Sequence, residues 1–425
     1  MDPSQASERR ALWLWLSLRT ELAGKSRAAL LKHFGGDLAA LYGADSYSDI
    51  PGVASSAAER LRLKDMKLVD KTLENCRNEG ITVITPDDPE YPERLKLISD
   101  PPGILYRKGK ELPEADALCV AVVGTRRMSE YGRDCAYGTA YDLAKAGAVV
   151  VSGMAIGVDG TAHRACLDAG GLTVAVLGNG LDRAYPAAHG DLMAEIAERG
   201  TLLSEFPPYS HPEKWHFPSR NRIISGISQA VLIIEAPEKS GALNTAAHAS
   251  DQHRRVYAMP GKAGELGNVG TNALIRDGAG MITEGREIIA DFEERYPSVS
   301  SLLIPSEAIK PKAQAPKPKA PAKKEKPRQR AKKPEPPVPQ PDVREEIPMP
   351  EVISAAPPAP RTIPEGLEGI EADIMGVFAA RGGVMTADEI SVRLGAEIGD
   401  VLFGLTMLEI KELITAVPGG KYVLV

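Results

Sequence analysis

The chain has 425 residues, 43% of them hydrophobic and 25% charged, with a formal net charge of −6. This length suits two to four domains, and the composition is that of a globular protein rather than a wholly disordered one. The longest apolar runs have the length of a strand, so no membrane helix is expected. Four cysteines without a CxxC pair, and an N-terminus without a cleavage site, indicate a reduced, cytoplasmic protein that lacks a zinc ribbon or signal peptide.

Residues 1–66 predict a small helical domain. Within it, Pro51-Gly52 precedes a helical segment at 55–63, an arrangement that resembles the second half of a helix-hairpin-helix. In that motif the turn exposes backbone N–H groups to a phosphate. A Pro-Gly turn between helices is also common in small bundles, so a purely structural role stays open. Residues 67–116 predict a connecting α/β segment, with a helix at 65–79 and strands at 81–85 and 104–106.

From residue 117 to 296 short β-branched runs alternate with helix-length segments. This rhythm is typical of βαβ units and predicts a parallel sheet covered by helices on both faces. Ligands of such sheets bind beyond the carboxyl ends of the strands. The predicted strands are 117–123, 148–151, 172–177, 201–203, 230–235 and 255–258.

Glycine-rich loops follow four of these strands, at 124–127, 152–159, 178–180 and 240–242. Glycine lets backbone N–H groups approach an anion at a helix N-terminus, and Ser129 is a suitable N-cap for the helix after the first loop. Four such loops at neighbouring strand ends predict an extended phosphate site. The GxGxxG and GxxxxGK[ST] patterns are both absent, which argues against NAD and nucleoside triphosphates.

Arginines and one aromatic ring accompany these loops. Arg126 lies in the first loop, while Arg220 and Arg222 follow Phe217 closely. A planar guanidinium suits phosphate oxygens, and an unpaired base stacked on a ring such as Phe217 contributes about 1–3 kcal/mol. The competing interpretation places Phe217 and Trp215 in the core and pairs the arginines with Glu205 or Glu235.

Ten short motifs follow one another between about residues 85 and 290. They are VVGTR at 122–126, SGMAIGVD at 152–159 with AH at 162–163, GNGLD at 178–182, YP at 185–186, SE at 204–205, FPSRNRII at 217–224, EA at 235–236, SGAL at 240–243, MPG at 259–261 and GTN at 270–272. This succession resembles the DNA-processing protein A (DprA/Smf) family. Thr125 departs from the serine that is common there, and the long proline- and lysine-rich linker is an elaboration.

The resemblance implies an extended Rossmann-like domain that binds single-stranded DNA without strong sequence preference. It also implies a homodimer that protects incoming DNA and loads the RecA recombinase during natural transformation. We therefore expect no catalytic residue, cofactor or metal. The residues expected to contact DNA are Gly124, Thr125, Arg126, Ser152, Gly153, Gly178, Asn179, Gly180, Phe217, Arg220, Asn221, Arg222, Ser240 and Gly241.

An enzyme is the alternative hypothesis. Asp159 and His163 are one helical turn apart and could form an acid–base pair, although a capping aspartate with a packed histidine has the same spacing. The nearest enzyme class is a nucleotide phosphoribohydrolase with a Rossmann-like fold. That class uses a Pro-Gly-Gly-x-Gly-Thr loop, whereas this chain has EKSGAL at 238–243.

Residues 297–361 predict a disordered linker, because 15 of the 34 prolines lie between 311 and 360. Residues 311–333 hold ten basic side chains and one acid, which suits either a solvated spacer or an electrostatic tether for nucleic acid.

Residues 362–425 predict a winged helix, with helices at 367–380, 386–394 and 398–413 and a hairpin at 415–425. This module has four basic and ten acidic residues, and its third helix carries Asp400, Glu409 and Glu412 against Lys411. Phosphates would repel such a helix, so the charge favours contact with a protein rather than with DNA.

Overall fold

The computed structural model describes residues 3–20, 24–303, 369–381, 384–396, 413–417 and 421–424, and residues 400, 401, 404, 405, 408 and 409. The chain forms two compact units, Met1–Ala322 and Lys323–Val425. Residues 304–361 of the predicted linker lie outside the described residues. Within those residues, no helix is long and apolar enough to cross a membrane.

The first unit begins with five helices. Trp15, Leu30 and Leu41 are almost fully buried among them, because the apolar faces of these short helices can be covered only by one another and by the segment that follows. The predicted division of this unit at residues 66 and 116 stays a prediction. The helices are α1 (Pro3–Thr20), α2 (Gly24–His33), α3 (Leu38–Gly43), α4 (Ser55–Leu61) and α5 (Lys67–Asn78).

A nine-stranded sheet follows, in the order β1-β2-β6-β5-β4-β3-β7-β8-β9. Strands β3 to β9 are parallel, whereas β2 is antiparallel to β6 and β1 is antiparallel to β2. All six predicted strands are present within a few residues of their expected bounds, and β9 is additional. The strands are β1 (Thr82–Ile84), β2 (Leu105–Gly109), β3 (Cys119–Val123), β4 (Val149–Ser152), β5 (Thr173–Leu177), β6 (Thr201–Ser204), β7 (Ala230–Ile233), β8 (Arg255–Ala258) and β9 (Gly280–Met281).

Helices cover both faces of this sheet, as the alternation predicted. Val120 and Val122 pack on the face covered by α7, α8 and α13, whereas Ala121 and Val123 face α10 and α11. This alternation follows from the two-residue period of a strand. The helices are α6 (Glu93–Lys96), α7 (Glu130–Lys145), α8 (Val158–Asp168), α9 (Gly190–Arg199), α10 (His216–Ile227), α11 (Gly241–Asp251), α12 (Val269–Arg276) and α13 (Gly285–Ala290).

The packed part of the first unit extends past residue 296, where the sequence had placed the start of the linker. Val299 is buried, and the backbone N–H of Ser300 donates to the carbonyl of Ala146. Residues 299 and 300 therefore pack with the first unit, and the predicted linker boundary stays a prediction.

The second unit contains α14 (Ile370–Arg381), α15 (Ala387–Leu394) and a sheet in the order β10-β12-β11. The described residues between 400 and 409 are helical. The described residues agree with the predicted three helices and paired terminal strands, and β10 is a further strand. Residues 410–412 of the predicted third helix and the predicted turn at 418–420 lie outside the described residues. These strands are β10 (Val384–Thr386), β11 (Ile414–Val417) and β12 (Lys421–Leu424).

Candidate nucleic-acid interface

The predicted loops meet at the carboxyl ends of the parallel strands. The order of the strands reverses between β3 and β7, which is where ligands of open α/β sheets bind. Helix α10 packs under these loops and is buried over most of its length. The site is therefore built from loops that follow β3, β4, β5 and β7 and from the first turns of α10.

The loop after β4 approaches α10 so closely that only glycine fits at position 153. A Cβ atom on Gly153 would lie 2.6 Å from Nη2 of Arg220 and 2.7 Å from Oδ2 of Asp159. Ser152, which precedes it, is fully buried and donates its hydroxyl hydrogen to the carbonyl of Val122, 2.7 Å away. This loop is consequently a rigid part of the site.

Arg220 lies beneath the site rather than on its surface. Its side chain is almost completely buried, and its Nη1 group donates to the carbonyl of Gly153 at 2.8 Å and to the carbonyl of Val176. Burial lowers the pKa of Arg220 to about 10, although the neighbouring Asp159 favours its charged form. Burial also raises the pKa of the Asp159 carboxyl, while Arg220 opposes that shift. The pair supports the loop after β4.

Arg222 also points into the protein, on the opposite side of α10. Its Nη2 lies 2.8 Å from Oε2 of Glu205, and its Nε lies 3.1 Å from Oδ2 of Asp100. The competing interpretation of the sequence, in which an arginine pairs with Glu205, therefore describes Arg222. The guanidinium groups of Arg220 and Arg222 contact protein groups, so neither is presented to solvent as the sequence suggested.

Arg126 is the predicted arginine that is exposed. Its guanidinium carbon lies 5.5 Å from the centre of the Phe217 ring, a cation–π contact. Phe217 is partly buried and lies 5.3 Å from the ring of Tyr185, centre to centre, with the two planes tilted by 33°. Tyr185 is 40% exposed and Trp215 is 52% exposed. Arg126, Phe217 and Tyr185 thus form one group of adjoining planar side chains, which we call the aromatic stack.

Tyr185 was missed as a site residue when the sequence was considered. Its signal was available, because the Tyr185-Pro186 pair belongs to the ordered motifs between residues 85 and 290. Nothing in a two-residue pattern shows that the tyrosine ring packs beside Phe217, which is 32 positions away in the chain.

The loop after β5 packs against the aromatic stack. A Cβ atom on Gly178 would lie 3.0 Å from Cδ1 of Phe217, so a glycine brings the backbone next to the ring. Asn179 is buried and donates from Nδ2 to the carbonyls of Gly180 and Arg183, at 2.8 and 3.0 Å. The N–H of Gly180 donates to the carbonyl of Ser210. The Asn179 amide and the Gly180 N–H therefore shape the loop from within.

Ser240, Gly241 and Asn221 lie together at the other side of the site. Ser240 caps α11 by accepting a hydrogen bond from the N–H of Ala242, at 3.3 Å. Asn221 donates from Nδ2 to the carbonyl of Gly241, at 3.4 Å. Among the described residues, a Cβ placed on Gly241 would meet no heavy atom within 4 Å beyond its chain neighbours and its own helix backbone. The first turn of α11 is therefore open to a ligand.

The N-terminus of α7 is occupied by the protein itself. Oε2 of Glu235, a buried carboxylate at the end of β7, accepts hydrogen bonds from the backbone N–H and the hydroxyl of Ser129, at 2.9 and 3.2 Å. Ser129 also caps α7, as predicted, by accepting from the N–H of Gly132. The N–H of Thr125 donates to the carbonyl of Glu235 at 2.7 Å. The loop 124–127 therefore contributes its exposed side chains rather than a free helix terminus.

Asp159 and His163 do not form an acid–base pair. His163 is fully buried, and its Nδ1 is 2.7 Å from the hydroxyl oxygen of Thr173. Burial lowers the pKa of His163 to about 3, and the nearby His189 and Arg220 act in the same direction. A histidine that stays neutral in the core does not exchange protons with a substrate near neutral pH. In the part of the chain that the structure describes, no three acidic, histidine or cysteine side chains are grouped to hold a metal ion.

Both units of the chain are similar to known proteins. Residues 82–293 match the family of DNA recombination-mediator protein A, and residues 356–420 match the DprA winged helix domain. The protein Smf of Synechocystis sp. is 34% identical over 354 residues, which cover 82% of each chain. The DNA processing protein DprA of Bacillus subtilis is 38% identical over 225 residues, covering 53% of this chain and 76% of that protein. The X-ray structure of DprA from Streptococcus pneumoniae, at 32% identity, has a TM-score of 0.57 and covers 67% of this chain and 98% of its own.

Proposed function

The chain belongs to the DprA/Smf family, the DNA recombination-mediator proteins A, and from this premise we propose that it binds single-stranded DNA across the loops at the carboxyl ends of β3, β4, β5 and β7. The proposal rests chiefly on one observation, the aromatic stack of Arg126, Phe217 and Tyr185 at that edge of the sheet. Rings and guanidinium planes bind the faces of unpaired bases, which a duplex keeps stacked inside.

The contacts we propose are part of the residues expected from the sequence, together with Tyr185. Arg126 binds a phosphate or stacks on a base, and Phe217 with Tyr185 supplies the ring surface. The backbone at 240–241 lines the path of the strand, with Asn221 beside Gly241. The loop at 124–127 contributes its side chains, and the buried segments 152–153 and 178–180 support the site from below. We assign Arg220 and Arg222 to the support of these loops, because their guanidinium groups are engaged by buried protein groups.

We further propose that the protein is a homodimer that protects incoming DNA and loads the RecA recombinase during natural transformation, without catalysing a reaction. Membership of a DNA recombination-mediator family supports this part of the proposal. For the winged helix we propose contact with a protein, since Asp400 and Glu409 lie in its third helical segment. Lys411 and Glu412 lie outside the described residues.

Fluorescence anisotropy with a labelled oligo-dT, and with a duplex of equal length, tests the DNA proposal on the full chain. We expect the single strand to bind more tightly than the duplex at every salt concentration. A matched pair of variants, Phe217→Leu and Phe292→Leu, separates ring stacking from a general loss of apolar volume, because Phe292 is also partly buried but packs against the core beside α13. Equal affinity for both DNA forms, or equal effects of the two variants, would contradict the proposal.

A further inference from the structure

A ring of four charged side chains lies on the far side of α10 from the aromatic stack. Asp100 bridges two arginines, with Oδ1 3.2 Å from Nη2 of Arg27 and Oδ2 3.1 Å from Nε of Arg222. Glu205 completes the ring, at 2.8 Å from Nη2 of Arg222 and 3.8 Å from Nη2 of Arg27. We call Arg27, Asp100, Glu205 and Arg222 the charge ring. It joins α2 to the end of β6 and to α10.

The charge ring is shielded from water. The side chains of Arg27, Glu205 and Arg222 are 4%, 6% and 7% exposed, and Asp100 is 31% exposed. Charges at such depth are screened little by salt, and removal of one member leaves each neighbour buried with one oppositely charged partner fewer. Each member therefore depends strongly on the others, unlike an exposed ion pair.

Close packing fixes the segment that carries Asp100. A Cβ atom on Gly24, the first residue of α2, would overlap the Asp100 carboxylate, and one on Gly103 would lie 2.9 Å from Cδ of Arg27. Arg27 also donates from Nη2 to the carbonyl of Pro101 at 2.7 Å. Residues 100–103 are thus held between α2 and α10, with little room for either helix to shift alone.

Helix α10 connects this ring with the site. Arg222 and Arg220 are two residues apart, and at about 100° per residue two helical positions point to opposite sides. One side of α10 therefore contacts the charge ring, and the other contacts Gly153 through Arg220. The first turn of the same helix carries Phe217.

We propose that Arg27 and Asp100 are positioning residues for the DNA site: through Arg222 they set the place of α10, and with it the place of Phe217 and Arg220. The N-terminal helices thereby determine how tightly the sheet edge binds DNA, through the contacts of Arg27 with Asp100 and Glu205. This inference rests on the proposed binding of single-stranded DNA.

The test compares Arg27→Met and Asp100→Asn with two controls in the full chain. Arg10→Met removes an ion pair between α1 and Asp88, of 2.8 Å, which belongs to the same helical region but does not contact α10. Leu41→Ala removes a fully buried side chain of that region and lowers stability without touching the charge ring. Arg27→Lys restores the charge and serves as the conservative variant.

We measure the affinity for oligo-dT, its dependence on salt, and amide exchange. All are measured at least twenty degrees below each variant's unfolding midpoint, so that every protein is folded. We expect Arg27→Met to weaken oligo-dT binding about five- to tenfold with an unchanged salt dependence, because the phosphate contacts remain but their geometry is looser. Asp100→Asn has a smaller effect, and Arg27→Lys recovers part of the affinity. Amide exchange at 216–222, measured without DNA, becomes faster in Arg27→Met. In Arg10→Met and Leu41→Ala the affinity for oligo-dT and the exchange rates at 216–222 stay within twofold of the parent.

Two outcomes would overturn this inference. If Arg27→Met and Asp100→Asn bind oligo-dT as the parent does, α10 is not positioned by the charge ring. If Leu41→Ala weakens binding as much as Arg27→Met, the effect is one of general stability. A parent protein that does not bind oligo-dT contradicts the proposed function instead, while the exchange measurement at 216–222 still reports on the positioning of α10.

Discussion

Arg126 covers the ring of Phe217, with its guanidinium carbon 5.5 Å from the ring centre. The two residues belong to different elements, the loop after β3 and the first turn of α10, so their contact joins the edges of the site. A base that stacks on Phe217 must either displace this guanidinium or lie on it. Both arrangements keep the positive charge of Arg126 next to the stacked nucleotide.

Replacement of Arg126 by alanine is expected to lower both the affinity for single-stranded DNA and its dependence on salt. A lost phosphate contact reduces the slope of log K against log salt by about 0.7 for a single strand. Arg126→Lys should retain the slope but lose affinity, since an ammonium group stacks less well than a planar guanidinium. Arg276→Ala, at the far end of α12 and 79% exposed on its side chain, is the control. An unchanged slope in Arg126→Ala would place the phosphate contacts elsewhere.

Two glycines of the site should respond differently to alanine. Gly153→Ala brings a methyl group within 3 Å of Arg220 and Asp159, so we expect the free energy of unfolding to fall by roughly 1–3 kcal/mol. Gly241→Ala meets open space in a helix and should not lower the unfolding midpoint, while weakening oligo-dT binding where the strand approaches α11. Denaturant titration and anisotropy measure the two effects. A destabilised Gly241→Ala, or a Gly153→Ala as stable as the parent, would contradict the packing described here.

The buried His163 should make the protein less stable as the solution becomes acidic. Its pKa is lowered to about 3 in the folded chain, against an ordinary value of 6.5, so the unfolded chain binds the extra proton between these values. Stability from this residue is present above pH 6.5 and is lost toward pH 3, at up to roughly 1.4 kcal/mol per pH unit. His163→Gln, which does not titrate, should show a shallower loss in urea titrations from pH 7 to 4. Parallel curves for parent and variant would contradict this expectation.

Asp142 on α7 should change the pH dependence of stability in the opposite direction, so that the protein loses stability as the pH rises. Burial raises the pKa of its carboxyl to about 6, against opposing contributions from the Gly285 N–H and from Arg286. The folded chain therefore holds the proton more tightly, so stability from this residue is present below pH 3.8 and is lost as the pH rises through about 6. Asp142→Asn should be more stable than the parent at pH 7 and similar at pH 4, by thermal unfolding. Glu130→Gln, whose side chain is 83% exposed, is the control and should change neither value.

The sheet could be predicted because its information is local. Each central strand is a short apolar run, and each loop of the site follows such a run and contains glycine. The order of these segments in the sequence was therefore sufficient to predict the strands and the loops. The roles of Arg220 and Arg222 could not be predicted in the same way. In a helix with one exposed face one of the two would reach solvent, but α10 is covered on one side by the sheet and loops and on the other by Asp100 and Glu205. No pattern within residues 217–224 indicates that Asp100 and Glu205 also cover the other side of this helix.

Glu235 has a consequence for competition in the cell. The start of the first helix after the first parallel strand is where folds of this kind commonly bind the phosphates of nucleotides. Here a carboxylate already holds the Ser129 N–H and hydroxyl, and its negative charge repels another anion. We therefore expect abundant cellular nucleotides such as ATP to leave the protein free. Under the proposed function, the fraction of protein bound then follows the supply of DNA rather than the energy state of the cell.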